Sequence, residues 1–199
     1  MNRPEKIVNE IVDKMQKCGL GMGRKTVELY RHNSLWASAF LWLKDTIECH
    51  LGNTYAYQVE HFGSTSIPGI AAKPVLDVMV IFKAISEVQA AIPLFEELCF
   101  IYKGDAVSNV HQTEPDPDRH FFSFYDLNKT VDYIHLHVFG DSHLDVVRNL
   151  GFRNILRDNL VLAQEYEQVK SQLKEQGLGR HEYTRTKSTF ISRVISEHG

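Results

Sequence analysis

His61-Phe-Gly-Ser-Thr-Ser-Ile-Pro-Gly-Ile-Ala-Ala-Lys-Pro-Val-Leu-Asp77 runs directly into Val78-Met-Val-Ile-Phe82. Tyr55–Phe62 alternates well enough to predict a strand, and Val75–Phe82 is apolar on both faces. The second pattern belongs to a strand covered on both sides, a central position in a sheet. Between the two, Gly63-Ser64-Thr65-Ser66 is a run of small residues rich in hydroxyls and backbone donors. Such a turn lets a phosphate approach closely, because nothing bulky shields its N–H groups. A plain strand-to-helix turn capped by Ser64 or Thr65 would have the same composition. Asp77 has only apolar neighbours, and an unpaired carboxylate there would cost several kcal/mol. It must meet a metal or ligand, a hydrogen-bond network, the solvent of a cleft, or a structural partner such as Lys73 or Arg119.

Working outward, residues 4–18 predict a first helix with Val8, Ile11, Val12 and Met15 on one stripe and Pro4 near its start. Glycines between Gly19 and Gly23 end it, and Thr26-Val-Glu-Leu-Tyr30 suggests a short strand. A helix capped by Asn33 or Ser34 follows, carrying Leu35, Trp36, Phe40, Leu43 and Ile47. Beyond the central strand, Ala84–Leu98 has helical spacing with Pro93 expected to kink or split it. Residues 104–118 read as an exposed loop ending in Glu114-Pro-Asp-Pro-Asp118. From about Ser142 onward the periodicity is helical, with Tyr183 to Ile195 marking the last helix.

Phe121–Leu127 and Val131–Phe139, separated by Asn128-Lys129-Thr130, predict a hairpin. In its second strand the two-residue period puts Ile134, Leu136 and Val138 on one face and Tyr133, His135 and His137 on the other. Two imidazoles at i and i+2 can ligate a metal or contact phosphate. Solvent-facing histidines are the plainer alternative in a chain with 10 of them. His120, beside Arg119 at the start of the partner strand, is expected to lie across from the pair if the register allows.

The whole chain has 199 residues, 43% hydrophobic and 24% charged, the composition of one globular unit. A net charge of −3 gives no global drive toward nucleic acid or membranes. The charge is uneven: the first 142 residues carry 13 basic and 18 acidic side chains, the last 57 carry 9 and 7. Cys18, Cys49 and Cys99 form no CxxC or Cys/His pattern, which argues for reduced thiols. With no apolar leader or long apolar run in the sequence, a cytoplasmic location is the expectation.

HFGSTSIPGIAAKPVLDVMV resembles the signature of the GrpB family, small proteins with a nucleotidyltransferase-like fold. The likeness continues in Tyr30 and Trp36, IHLHVF (134–139), GFRNILRDN (151–159), EYEQVK (165–170) and EYTRTKSTFI (182–191). The resemblance implies an α+β fold, a mixed sheet flanked by helices: a core over 1–141 and a C-terminal helical segment over 142–199 packed on it. Nucleotidyltransferases of this kind follow a Gly-Ser turn with an Asp-x-Asp strand and a third carboxylate from a later strand. The two aspartates share a strand face and hold divalent cations around a triphosphate. Here Asp77 supplies the first position, and Met79, a soft thioether, stands at the second. A histidine falls at the third if the His135–His137 strand supplies it. The two-metal triad is incomplete.

Two functional readings follow. In the first, Asp77 with His135 or His137 binds one divalent cation (Mg²⁺, Mn²⁺ or Zn²⁺) and assists nucleotidyl or phosphoryl transfer from a nucleoside triphosphate. Gly63, Ser64 and Thr65 would then hold the phosphates, and Lys73 would offset their charge. In the second, the protein is a catalytically inactive nucleotide- or phosphate-binding or protein-interaction module. In both, Arg153, Tyr166, Lys170, Tyr183 and Lys187 on the helical tail are ligand-contact candidates. Tyr166/Lys170 and Tyr183/Lys187 are i,i+4 pairs that place an aromatic ring and a cation on one helical face. Ordinary amphipathic design, with the tyrosine packed and the lysine reaching solvent, produces the same pattern.

Overall fold

Helix α1 (Arg3–Lys17) starts where Asn2 and Glu5 close a capping box: the Glu5 N–H donates to Asn2 Oδ1 at 2.9 Å and the Asn2 N–H to Glu5 Oε2 at 3.2 Å. Its stripe of Val8, Ile11 and Met15 is buried. Strand β1 is the short Met22–Gly23, upstream of the predicted Thr26–Tyr30 strand. Of that prediction one bridge is found, Tyr30 with Ala72, and Val27 lies outside the described residues. Helix α2 (Leu35–Leu51) follows, with Asn33 Oδ1 accepting the Leu35 N–H at 3.0 Å.

Then come β2 (Tyr57–Phe62), a 3₁₀ turn at Ser64–Ser66, and β3 (Leu76–Phe82). Helix α3 (Ile85–Glu97) continues unbroken through Pro93. It is followed by β4 (Ile101–Asp105), β5 (Arg119–Tyr125) and β6 (Val131–Gly140). Asp126 fixes the β5–β6 hairpin by accepting the N–H groups of Thr130 at 2.7 Å and Val131 at 2.8 Å. Helices α4 (Leu144–Asp158), α5 (Leu160–Glu175) and α6 (Arg180–His198) complete the chain.

The computed structural model describes residues 2–24, 26, 28–105, 118–176 and 180–198, the side chains at 105 and 180–185 excepted. Most of the predicted loop at 104–118 therefore lies outside the described residues. Among those described, no helix is long and apolar enough to cross a membrane.

The sheet runs β2-β3-β6-β5-β4, with β1 also pairing β6. Strands β3 and β6 are parallel and the other pairings antiparallel. The architecture is thus a mixed α+β fold with its most apolar strand inside the sheet, as expected for a strand buried on both faces. One face packs against α1–α3 through Leu76, Val78, Val80, Phe82, Ile134, Leu136 and Val138. The other carries Asp77, Met79, His135 and His137 toward α4–α6.

Two face assignments need correcting. Tyr133 belongs to the α1–α3 core, where Gln16 Nε2 donates to its hydroxyl at 2.8 Å. The β5–β6 ladder steps from Phe124–Ile134 to Tyr125–Asp132, so Tyr133 is an extra residue at a bulge and leaves the face of the two histidines. His120 pairs with Val138 rather than lying across from His137, and its Nδ1 meets the Tyr102 hydroxyl at 2.7 Å. Phe121 faces His137 instead. One residue of register moves a side chain to the opposite face.

Candidate functional site

The register of three strands builds the site. Asp77 stands between Phe62 of β2 and His135 of β6, and Met79 between Glu60 and His137. Asp77 Oδ1 lies 3.4 Å from His135 Nδ1. Gly63 turns the chain beside it with φ +68°, and a Cβ there would overlap Asp77 Oδ2. Glycine is required twice over, for the left-handed backbone and for the space. Burial alone would raise the Asp77 carboxyl, but the hydrogen bond and charge of His135, with Lys187 beyond it, hold it below the usual carboxylate range. Burial and the neighbouring Arg119 depress His137 to about 3, so it is neutral at pH 7. Arg119 Nη2 lies 3.5 Å from His137 Nδ1, and Arg119 Nη1 lies 3.5 Å from Asp145 Oδ2 on α4.

These groups open on a cleft of about 250 Å³ between the sheet, α4 and α6. Gly63, Asp77 and His137 form its sheet side, while Arg148 of α4 and Lys187 of α6 face it from the helices. Arg119, Asp145 and Arg148 were not among the ligand candidates. Arg148 is one of three arginines on α4, with Arg153 and Arg157, and its direction depends on how α4 docks. Its Nη2 donates to Ser192 Oγ of α6 at 2.8 Å.

Met79, at the second acidic position, is completely buried among Phe62, Ile81, Phe139 and Val146. Among the described residues, no three His, Cys, Asp or Glu side chains converge as a metal site. Asp77, His135 and His137 share one strand face, yet Asp77 is turned to His135 and His137 is flanked by Arg119.

The remaining candidates separate by what holds them. Thr65 is buried, its hydroxyl 3.0 Å from His61 Nε2, and His61 is stacked on Phe40. Burial is the main cause that lowers His61 to about 3. Ser64 and Lys73 are half-buried on the loop joining β2 to β3. Arg153 faces the cleft but donates through Nη1 to Glu60 Oε2 at 2.7 Å and to the His61 carbonyl at 2.8 Å. Lys170 is 1% exposed and donates to the Ala71 carbonyl. Burial, and then the charge of Lys187, lower it to about 7. Two residues not singled out in the sequence act alongside. Arg157 Nε donates to the Ser66 carbonyl at 2.9 Å, and Glu167 Oε1 accepts the Ala71 N–H at 2.8 Å. Arg153 and Lys170 thus help clamp the 61–71 backbone against α4 and α5, because buried carbonyls need donors. Tyr166 lines the cleft, whereas the side chain of Tyr183 lies outside the described residues.

The GrpB protein family model matches residues 26–197. The chain belongs to the GrpB family. The glutamate-rich protein GrpB of Alkalihalophilus pseudofirmus is 28% identical over 179 residues, 89% of this chain and 99% of that relative. A GrpB crystal structure from Enterococcus faecalis superposes with TM-score 0.70 at 27% identity, covering 85% of this chain and 96% of that one. A structure of Cid1, described as having RNA terminal uridylyl transferase activity, matches with TM-score 0.52 at 12% identity. That match covers 85% of this chain but 45% of Cid1, and carries the fold alone. The fold is therefore that of the GrpB structure and is similar to that of Cid1, with Asp77 on the strand after the Gly-Ser turn.

Proposed function

We propose that this GrpB-family protein binds a nucleotide or another phosphate-bearing small molecule in the Asp77 cleft, without metal-dependent transfer. The observation that carries the proposal is Met79: a fully buried thioether stands where a second carboxylate would hold metal. Positive charge comes instead from Arg119, Arg148 and Lys187 around the cleft. Guanidinium and ammonium groups bind phosphate oxygens directly through charge-assisted hydrogen bonds.

The residues present do not fit a resident divalent cation. Asp77 is engaged with His135, and His137 stands against the Arg119 guanidinium.

The test is a thermal-shift series with ATP, GTP, CTP, UTP and simpler phosphate compounds, each in EDTA, Mg²⁺ or Mn²⁺. A ligand that binds only the folded state raises the melting temperature by mass action. We expect stabilisation that persists in EDTA. Stabilisation that requires a divalent ion, or none from any phosphate compound at millimolar concentration, would overturn the proposal.

A further inference from the structure

Resting on that reading, we infer that the ligand of the Asp77 cleft is a small phosphomonoester, no larger than a pentose phosphate, rather than a nucleoside triphosphate. The cleft is open to solvent on one side and holds about 250 Å³, below the range of about 300–1,000 Å³ common for small-molecule pockets. Its charge also suits a single phosphoryl group. Arg119, Arg148, Arg153 and Lys187 face it, and among the described residues the carboxylates lining it are Asp77 and Asp145. Glu60 holds Arg153 at 2.7 Å. A triphosphate would bring a larger negative charge, normally shared with metal ions on paired carboxylates. Met79 occupies the place of the second of these.

The walls point the same way. The aromatic ring best placed to stack a nucleobase, Tyr166, is already packed by the protein. Its ring stacks on Phe190 at 5.4 Å and 27° and meets Phe152 edge-on at 5.2 Å. The Lys170 ammonium lies 4.7 Å from the ring centroid and that of Lys187 lies at 6.0 Å. Tyr166 therefore acts as a wall and a support for two cations, not as a platform for a base. Phe62, Phe152 and Ile191 give the cleft an apolar side. Inorganic phosphate would leave that side uncovered, whereas a short carbon skeleton would bury against it.

Isothermal titration calorimetry on the full chain in EDTA tests the inference with ribose 5-phosphate, glycerol 3-phosphate, inorganic phosphate, ATP and UTP. At least one of the two monoesters should bind about tenfold or more tighter than inorganic phosphate and either triphosphate. Arg148→Ala and Lys187→Gln, each checked for native circular dichroism, should weaken that monoester about ten- to hundredfold, the effect of losing a hydrogen bond to a charged group. ATP or UTP binding as tightly as the monoesters would overturn this inference while leaving the phosphate-binding reading intact. Inorganic phosphate binding equally well would overturn the organic part of the ligand. Absence of binding by all five would overturn both. Unchanged monoester affinity in both folded variants would remove the cation cleft as its site.

Discussion

Alternate residues of the same strands build the two faces of the sheet, yet the faces behave as different materials. Toward α1–α3, Leu76, Val78, Val80 and Phe82 meet Ile134, Leu136 and Val138, all fully buried. Toward α4–α6, the intervening positions are Asp77, Met79 and Ile81 on one strand and His135 and His137 on the next. The first face is held by apolar burial, which is non-directional and tolerant of detail. The second is held partly by directed bonds from Arg153, Arg157 and Lys170 to the carbonyls of His61, Ser66 and Ala71. A continuous apolar strand thus conceals a polar face, because a single aspartate in the right phase is enough to aim charge at a cleft.

The contrast predicts a graded set of effects. Phe82→Ala, at a fully buried site on the apolar face, should cost about 3–5 kcal/mol in urea unfolding. A loss below about 1 kcal/mol would mean that this face tolerates cavities.

Acid should act on both faces through His61 and His137, each lowered to about 3 from the ordinary 6.5. Between those values the unfolded chain binds more protons than the folded one, so stability is lost as pH falls. Each histidine contributes up to about 1.4 kcal/mol per pH unit in that window. Urea midpoints compared at about pH 7 and pH 5 should fall steeply, and His61→Phe should flatten the fall. Equal midpoints at the two pH values would contradict the buried neutral state of both rings.

Gly63→Ala should cost about 1–3 kcal/mol, from the left-handed backbone and the displaced Asp77 carboxylate. It should also abolish ligand-induced stabilisation in the thermal-shift series. Retention of that response would show that the Gly63–Asp77 contact does not shape the site. The smallest effect belongs outside both faces: Leu144→Ser, at a residue 84% exposed, should change urea stability by no more than about 0.5 kcal/mol. A larger loss would reveal a partner for that helix end.

Much of this could be read from local patterns. Val75–Phe82 is central because its apolar side chains fall on both phases, and His135 and His137 share a face because strand side chains alternate. The Gly-Ser turn and Asp77 were recognisable from small residues followed by a carboxylate in an apolar run. The faces of Tyr133 and His120 were not readable, because a bulge and a one-residue register decide them, and register emerges only when strands pair. Nor could the roles of Arg153 and Lys170 be read. A cation on a helix suits a ligand or a buried carbonyl equally well until the helix is docked. Arg119 and Arg148, which face the cleft, lie far apart in the chain and meet only through that docking.

Periodicity and residue chemistry therefore specified the sheet's central strand, the family-like turn, the lone aspartate and the missing second carboxylate. These are short-range properties, set by two-residue alternation and by the identity of single side chains. Tertiary structure decided which partner Asp77 meets, that Met79 is sealed in apolar contacts, and which cations clamp backbone, line the cleft, or, like Arg153, do both. Those outcomes depend on strand register and helix docking, where the energy comes from contacts between residues distant in the chain.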